Sequence, residues 1–191
     1  MGGRQQSSGR RGKEIPRTPL PRQFYARPAV EVAQDLLGKI LVHGSCAGRI
    51  VETEAYLGTD DLAAHSARGI TKRTRVIFGP PGFAYVYFIY GMHYCLNIVA
   101  DEEGTAGCVL IRALEPLNGS AKCNGPGKLT RSLGITLAQN ETDVVTGPIR
   151  IYQSAVRDKV EIATSARIGI TKSSDLPLRF FISGNPHVSR R

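Results

Sequence analysis

Two carboxylates and a phenol recur at every second residue of Arg49-Ile-Val-Glu-Thr-Glu-Ala-Tyr-Leu-Gly58, as Glu52, Glu54 and Tyr56. Strand side chains alternate between faces, so these three share one face while Val51, Thr53, Ala55 and Leu57 share the other. A carboxylate facing a cleft beside aromatic groups can act as a general base when its surroundings tune it. The same residues also have a structural reading. Glu52 can pair with Arg49 or with an arginine of a neighbouring strand, and strand tyrosines are commonly packing residues. His65 follows in the next loop, and further on Tyr85-Val-Tyr-Phe-Ile-Tyr-Gly-Met92 places aromatics on both faces of a second strand-like run. Tyr90 and Met92 fall at a turn. A large aromatic exposed there in a basic protein suits an apolar wedge that unstacks a DNA base step, unless the hairpin folds back and makes Tyr90 a core residue.

The elements that must position these groups follow from the pattern. Pro28 to Gly38 reads as a helix, with proline in its first turn, apolar Val30, Ala33, Leu36 and Leu37, and a terminating glycine. Lys39 to His43 and Arg49 to Leu57 read as strands around a turn. Residues 58–82, rich in Gly, Asp, Thr, Arg and Pro, are long for a connector and suggest a functional loop. Phe83 to Tyr90 and Tyr94 to Ala100 should form a hairpin with its tip at Tyr90 to His93. Gly107 to Leu114 is a further strand, and Pro126 to Leu133 a short helix stopped by Gly134. Gly147 to Tyr152, Ala163 to Ile170 and Leu178 to Ser183 read as strands. Helices mixed with mainly sequential strands argue for an α+β fold.

A chain of 191 residues is most simply one domain with a core of its own. Its formal charge of +9 favours an anionic partner, with nucleic acid ahead of membrane because no long apolar run appears. Part of that charge is local: Arg4, Arg10, Arg11, Lys13, Arg17 and Arg22 face a single Glu14 in the first 22 residues. Residues 1–19 therefore read as a basic, solvated arm, without the apolar core of a signal peptide, ahead of a domain over 20–191. Cys46, Cys95, Cys108 and Cys123 include no Cys-x-x-Cys pair and suggest reduced thiols rather than a disulfide framework or zinc site. The expectation is an intracellular protein, in cytoplasm or nucleoid if bacterial and in the nucleus if eukaryotic.

At this point the motifs resemble those of the alkyladenine (3-methyladenine) DNA glycosylases, from about Leu20 to Ser189. The resemblance rests on Arg49 to Gly58, Ala63-Ala-His-Ser66, Tyr85 to Met92, Cys95-Leu-Asn-Ile98, Val109-Leu-Ile-Arg-Ala-Leu-Glu-Pro116, Gly125-Pro-Gly-Lys-Leu129 and Ala166-Arg-Ile-Gly169. It implies a single mixed domain around a curved antiparallel β-sheet with a protruding, DNA-inserting β-hairpin. By the same resemblance Glu54 activates water for attack on the sugar C1′, and Arg112 and the carbonyl of Ile168 help hold that water. Tyr56, His65 and Tyr87 line the base pocket, Asn97 is placed to clash with the amine of normal guanine, and Tyr90 fills the gap left by the flipped base. Glu52 is left as structural support. Met92, His93 and Lys128 are further candidate DNA contacts.

The implied activity is monofunctional excision of alkylated or deaminated purines from double-stranded DNA, leaving an abasic site. No cofactor, metal or membrane is expected, and the protein should act as a monomer. The segment 117–124 is shorter than is usual in the family, and His93 stands where other members carry a different aromatic. Two other readings compete: a damage-binding protein that flips bases without cutting, and a metal-dependent nuclease using Glu52, Glu54 and His65.

Overall fold

The structure, a computed structural model, describes residues 18–118, 121–155 and 160–189. Most of the basic arm, residues 1–17, lies outside the described residues. The first described residues lie alongside the strand that holds Ile151 and Tyr152: Pro19 bridges to Tyr152 and the Leu20 N–H donates to the Ile151 carbonyl.

Among the described residues eight strands form one curved, wholly antiparallel sheet: β1 (Ile40–His43), β2 (Cys46–Tyr56), β3 (Ala84–Ile89), β4 (His93–Ala100), β5 (Gly107–Pro116), β6 (Ile149–Tyr152), β7 (Ile162–Ser165) and β8 (Arg179–Ile182). Their main order is β3-β4-β5-β2-β1-β6. β2, the longest strand, is the axis of the sheet. Along one side it pairs with β5; along the other its first residues pair with β1 and its residues 52–54 with β8. The chain thereby surrounds Glu52 and Glu54 with strands on both sides. A register shift between Ile50 and Thr53 marks a bulge there, a feature that re-aims side chains.

Helix α2 (Ala29–Asp35) covers one face, burying Val32 and Ala33 with the following Leu36 and Leu37 against Val51, Ala55 and Ile111. The Thr53 hydroxyl donates to the Ala33 carbonyl at 2.8 Å, which ties this helix to the core side of β2. Helix α3 (Pro126–Leu133) buries Leu129 and Leu133 and ends at Gly134, whose φ of 66° supplies the left-handed cap. A one-turn helix, α1 (Arg22–Tyr25), buries Tyr25 completely; it has no periodicity to betray it in the sequence.

The α+β expectation holds. Two local expectations do not. Leu57 is 41% exposed, because β2 ends at Tyr56 and the chain turns away under hydrogen bonds from Leu57 and Ala63 N–H to Asp61. The strand expected over 163–170 stops at Ser165, because Arg167 turns inward to an ion pair instead of continuing the ladder. The four cysteines are free thiols, with Cys46 only half-buried.

Candidate active site

Glu52, Glu54 and Tyr56 do project from one face of β2, but that face is buried rather than open: both carboxylates have no solvent exposure. Buried charges must be paired and hydrogen-bonded to persist. Each of the two is, in a different way.

Glu52 is saturated. Its Oε1 accepts from Arg112 Nε at 3.0 Å, Arg179 Nε at 2.7 Å and the Ser189 hydroxyl at 2.8 Å, and its Oε2 accepts from the Ser189 N–H at 2.6 Å. Such a carboxylate binds arginines in place and has little capacity left for chemistry. Glu54 is held by fewer donors. Its Oε1 takes the Ile168 N–H at 2.8 Å and pairs with Arg112 Nη1 at 3.2 Å, while its Oε2 takes, among the described residues, only the Tyr56 hydroxyl, at 3.0 Å. Burial raises the Glu54 pKa, and the nearby Glu52 adds to this; Arg112, Ile168 and Tyr56 oppose it without cancelling it. The Tyr56 hydroxyl, itself raised by burial and by Glu54, stays protonated and so remains a donor. Arg112 spans the two carboxylates, Nε on one and Nη1 on the other.

The segment carrying Ile168 is fixed by its neighbour. Arg167 reaches back across the fold to Asp61 in a two-pronged pair, Nη1–Oδ2 at 2.5 Å and Nη2–Oδ1 at 2.9 Å, and also donates to the Ala55 carbonyl at 3.0 Å. Its guanidinium lies 4.6 Å from the centre of the Tyr56 ring. One buried ion pair thus orients Tyr56, presents the Ile168 N–H to Glu54, and organises the turn that leads to His65. The resemblance assigned the carbonyl of Ile168 to water; what touches Glu54 is its N–H.

Tyr56, His65, Tyr87, Asn97, Arg112 and Ile168 line a single cleft of about 330 Å³, with Tyr90 and His93 at its hairpin side. Glu54 adjoins it through Arg112, Tyr56 and Ile168. His65 stands edge-on to the Tyr87 ring at 4.7 Å, and its Nδ1 meets the Tyr85 hydroxyl at 2.8 Å. Burial, then Arg73 and Arg68, lower the His65 pKa to about 4, so the ring is neutral at neutral pH. Asn97, almost fully buried on β4, donates to the Tyr85 carbonyl at 3.3 Å.

Tyr90 caps the β3–β4 hairpin and is 75% exposed, which rules out a core role. Its φ of 54° and that of Gly91, 66°, with the Met92 N–H donating to the Ile89 carbonyl, give a turn of the I′ kind. That turn favours Asn, Asp or Gly at its first central position, and an aromatic residue there is strained. Met92 is exposed beside it. His93 packs against the start of α3 so closely that a Cβ at Gly127 would meet its ring at 2.8 Å. Lys128 is not on the cleft; its Nζ reaches Asn124 at 3.2 Å.

Asp61, Arg179, Ser189, Tyr85 and Arg73 were not singled out by their chemistry in the sequence. Arg167 and Tyr85 lie inside the quoted motifs, and Tyr85 shares a strand face with Tyr87 by period two, so those two were findable. Arg179 and Ser189 reach Glu52 from 127 and 137 residues away, and no local pattern signals that. Glu52, Glu54 and His65 do not converge. Among the described residues no group of three or more His, Cys, Asp or Glu could hold a metal ion, so the nuclease reading has no ligand set.

The family model for methylpurine-DNA glycosylase matches residues 23–186. Relatives with the provisional name 3-methyladenine DNA glycosylase include one from Methanoculleus marisnigri, 49% identical over 90% of this chain and 99% of its own length. Another, from Koribacter versatilis, is 46% identical over 90% of this chain and 93% of its own length. A third, from Legionella pneumophila, is 47% identical over 90% of this chain and 98% of its own length. With both the match of family model and the extent of these likenesses covering the sheet, the cleft and the carboxylate at its side, the chain belongs to the methylpurine-DNA glycosylase family.

Proposed function

We propose that this protein is a base-excision repair glycosylase that takes alkylated or deaminated purines out of duplex DNA and hydrolyses their N-glycosidic bonds. The observation that carries the reading is Glu54: a buried carboxylate beside an aromatic cleft, held on one oxygen by Arg112 and Ile168 and on the other, among the described residues, by Tyr56 alone. An ionised carboxylate oxygen can accept two hydrogen bonds, so Oε2 keeps one place open for water. Water attacks C1′ as the C1′–N bond breaks. The bonding pair leaves with the purine, and Oε2 takes the proton from the attacking water. The carboxylate also offsets the positive charge that builds on the sugar, an effect strengthened by the absence of solvent around it.

Reaching C1′ requires the nucleotide to leave the stack, at a cost of a few kcal/mol. Stacking of the base on Tyr56 and Tyr87 returns about 1–3 kcal/mol. Tyr90 at the exposed hairpin tip fills the vacated stack, with Met92 and His93 beside the same strand, and Lys128 at the start of α3 neutralises a phosphate. Asn97 excludes the amine of guanine, a repulsive form of discrimination. A single cleft in one chain is sufficient for these steps, in keeping with a monomer.

The test is base release from duplexes carrying 3-methyladenine, hypoxanthine or ethenoadenine, with Glu54→Gln alongside. Release by the wild type and none by the variant, at lesion affinity within a few fold, supports the reading. Tight lesion binding with no release by the wild type would make the protein a damage-binding one instead.

A further inference from the structure

We propose that Arg73, acting through the Tyr85 hydroxyl, is a positioning residue that holds His65 in one tautomer, with the proton on Nε2. This deepens the glycosylase reading and rests on it for its purpose: the wall of the base cleft then presents an N–H donor and no acceptor at His65.

The argument is an accounting of one proton. Tyr85 is 1% exposed, and a buried hydroxyl must place its hydrogen on an acceptor. Among the described residues two groups lie within hydrogen-bonding distance of its oxygen: Arg73 Nε at 3.1 Å and His65 Nδ1 at 2.8 Å. A guanidinium has five donors and no acceptor, so Arg73 Nε–H occupies the oxygen as a donor and cannot receive the phenol proton. The hydroxyl must therefore donate to His65 Nδ1. A nitrogen that accepts carries no proton, and a neutral imidazole has one, so the proton sits on Nε2. The raised pKa of Tyr85 keeps the phenol proton in place, and the lowered pKa of His65 keeps the ring from taking a second one.

Arg73 is well placed to impose this. Its guanidinium also lies 4.9 Å from the centre of the Tyr87 ring, so one side chain pins two walls of the cleft. The loop beneath it is closed by hydrogen bonds of its own. The Thr71 N–H donates to Thr74 Oγ1 at 2.8 Å, the Thr74 N–H donates to Thr71 Oγ1 at 3.1 Å, and Thr74 Oγ1 donates to the Gly69 carbonyl at 2.8 Å. Arg73 is nonetheless exposed on the outer side, where a second, basic cleft with Arg68 and Lys172 adjoins the first. The substitution of Arg73 therefore removes a donor and a charge without opening the core.

The tautomer is measurable on the DNA-free protein. A long-range proton–nitrogen correlation on the ¹⁵N-labelled full chain distinguishes protonated from bare ring nitrogens, and loss of one pattern in His65→Gln assigns it among the four histidines. In the wild type at neutral pH, Nδ1 should be bare and Nε2 protonated, with the other tautomer disfavoured roughly tenfold or more by the unpaired hydroxyl it would leave. In Arg73→Met water from the exposed outer side can take the place of the guanidinium and accept the phenol proton, so the Tyr85 oxygen can accept from a protonated Nδ1 and the pattern should move toward a mixture of the two tautomers. In Tyr85→Phe it should do the same. A wild-type His65 protonated on Nδ1, or on both nitrogens, overturns the proposal, as does an unchanged pattern in Arg73→Met. Base release is not part of this readout, so a protein with the expected tautomer and no glycosylase activity keeps the relay and loses the functional reading.

Discussion

Tyr90 offers a substitution in which stability and activity should move in opposite directions. A non-glycine residue in the left-handed region costs roughly 1–2 kcal/mol, and Asn is among the few that tolerate it. Tyr90 sits there at φ 54° with three-quarters of its surface in solvent, so Tyr90→Asn gives up little burial while relieving much of that strain. The expected net gain is about 0.5–1 kcal/mol, or roughly 1–4 °C in Tm for a chain of this length. Calorimetry or a fluorescence melt measures it. Single-turnover excision from duplex DNA should meanwhile fall, and fall more than excision from a single strand, where no stack is vacated. Strain kept at an exposed tip in place of the favoured Asn or Gly is what a residue retained for contact with a partner would look like. A Tm lowered by several degrees would show that Tyr90 is packed, and equal loss on duplex and single strand would remove the wedge.

Other substitutions test the buried charges. Glu54→Gln should abolish base release, and because the folded-state pKa of Glu54 is raised, the wild type loses stability relative to this variant as pH climbs through that raised value; the difference in Tm, variant minus wild type, should grow with pH, and a flat difference refutes the raised pKa. For the same reason, wild-type excision should fall on acidification at a pH above the ordinary carboxyl range, in a single-turnover pH profile. Glu52→Gln leaves Arg112 and Arg179 without their shared carboxylate and should cost about 3–5 kcal/mol in a denaturant titration. Asp61→Asn should cost a similar amount by stranding Arg167. Burial raises the Asp61 pKa, but the Arg167 hydrogen bonds and charge more than reverse it, so the wild type holds this contribution above the ordinary carboxyl range and loses it as pH falls through the depressed value. An Asp61→Asn variant of unchanged stability at neutral pH would refute the account of that pair.

What the sequence disclosed here was mostly what period and punctuation can disclose. Alternation in β2 placed Glu52, Glu54 and Tyr56 together, and Gly91 between two apolar runs marked the hairpin that carries Tyr90. Proline and glycine bracketed α3 correctly. Alternation could not say that the polar face of β2 is itself buried, because that depends on Arg112, Ile168, Arg179 and Ser189 reaching it from far along the chain. Nor could it rank the two carboxylates: Glu52 and Glu54 are equivalent by period, and only the resemblance separated them.

The physical distinction between those carboxylates lies in what reaches them from far along the chain. Glu52 collects Arg112, Arg179 and both donors of Ser189, and is left with a structural task. Glu54 receives one arginine, one backbone N–H and one phenol, a set small enough to leave an oxygen site open and too weak to offset burial. Arg112 joins the two, so the stability of the first is what keeps the guanidinium at the second. A site built this way spends folding energy on Glu52 and tolerates a costly carboxylate at Glu54, the pattern expected where a buried group is kept for reaction rather than for stability.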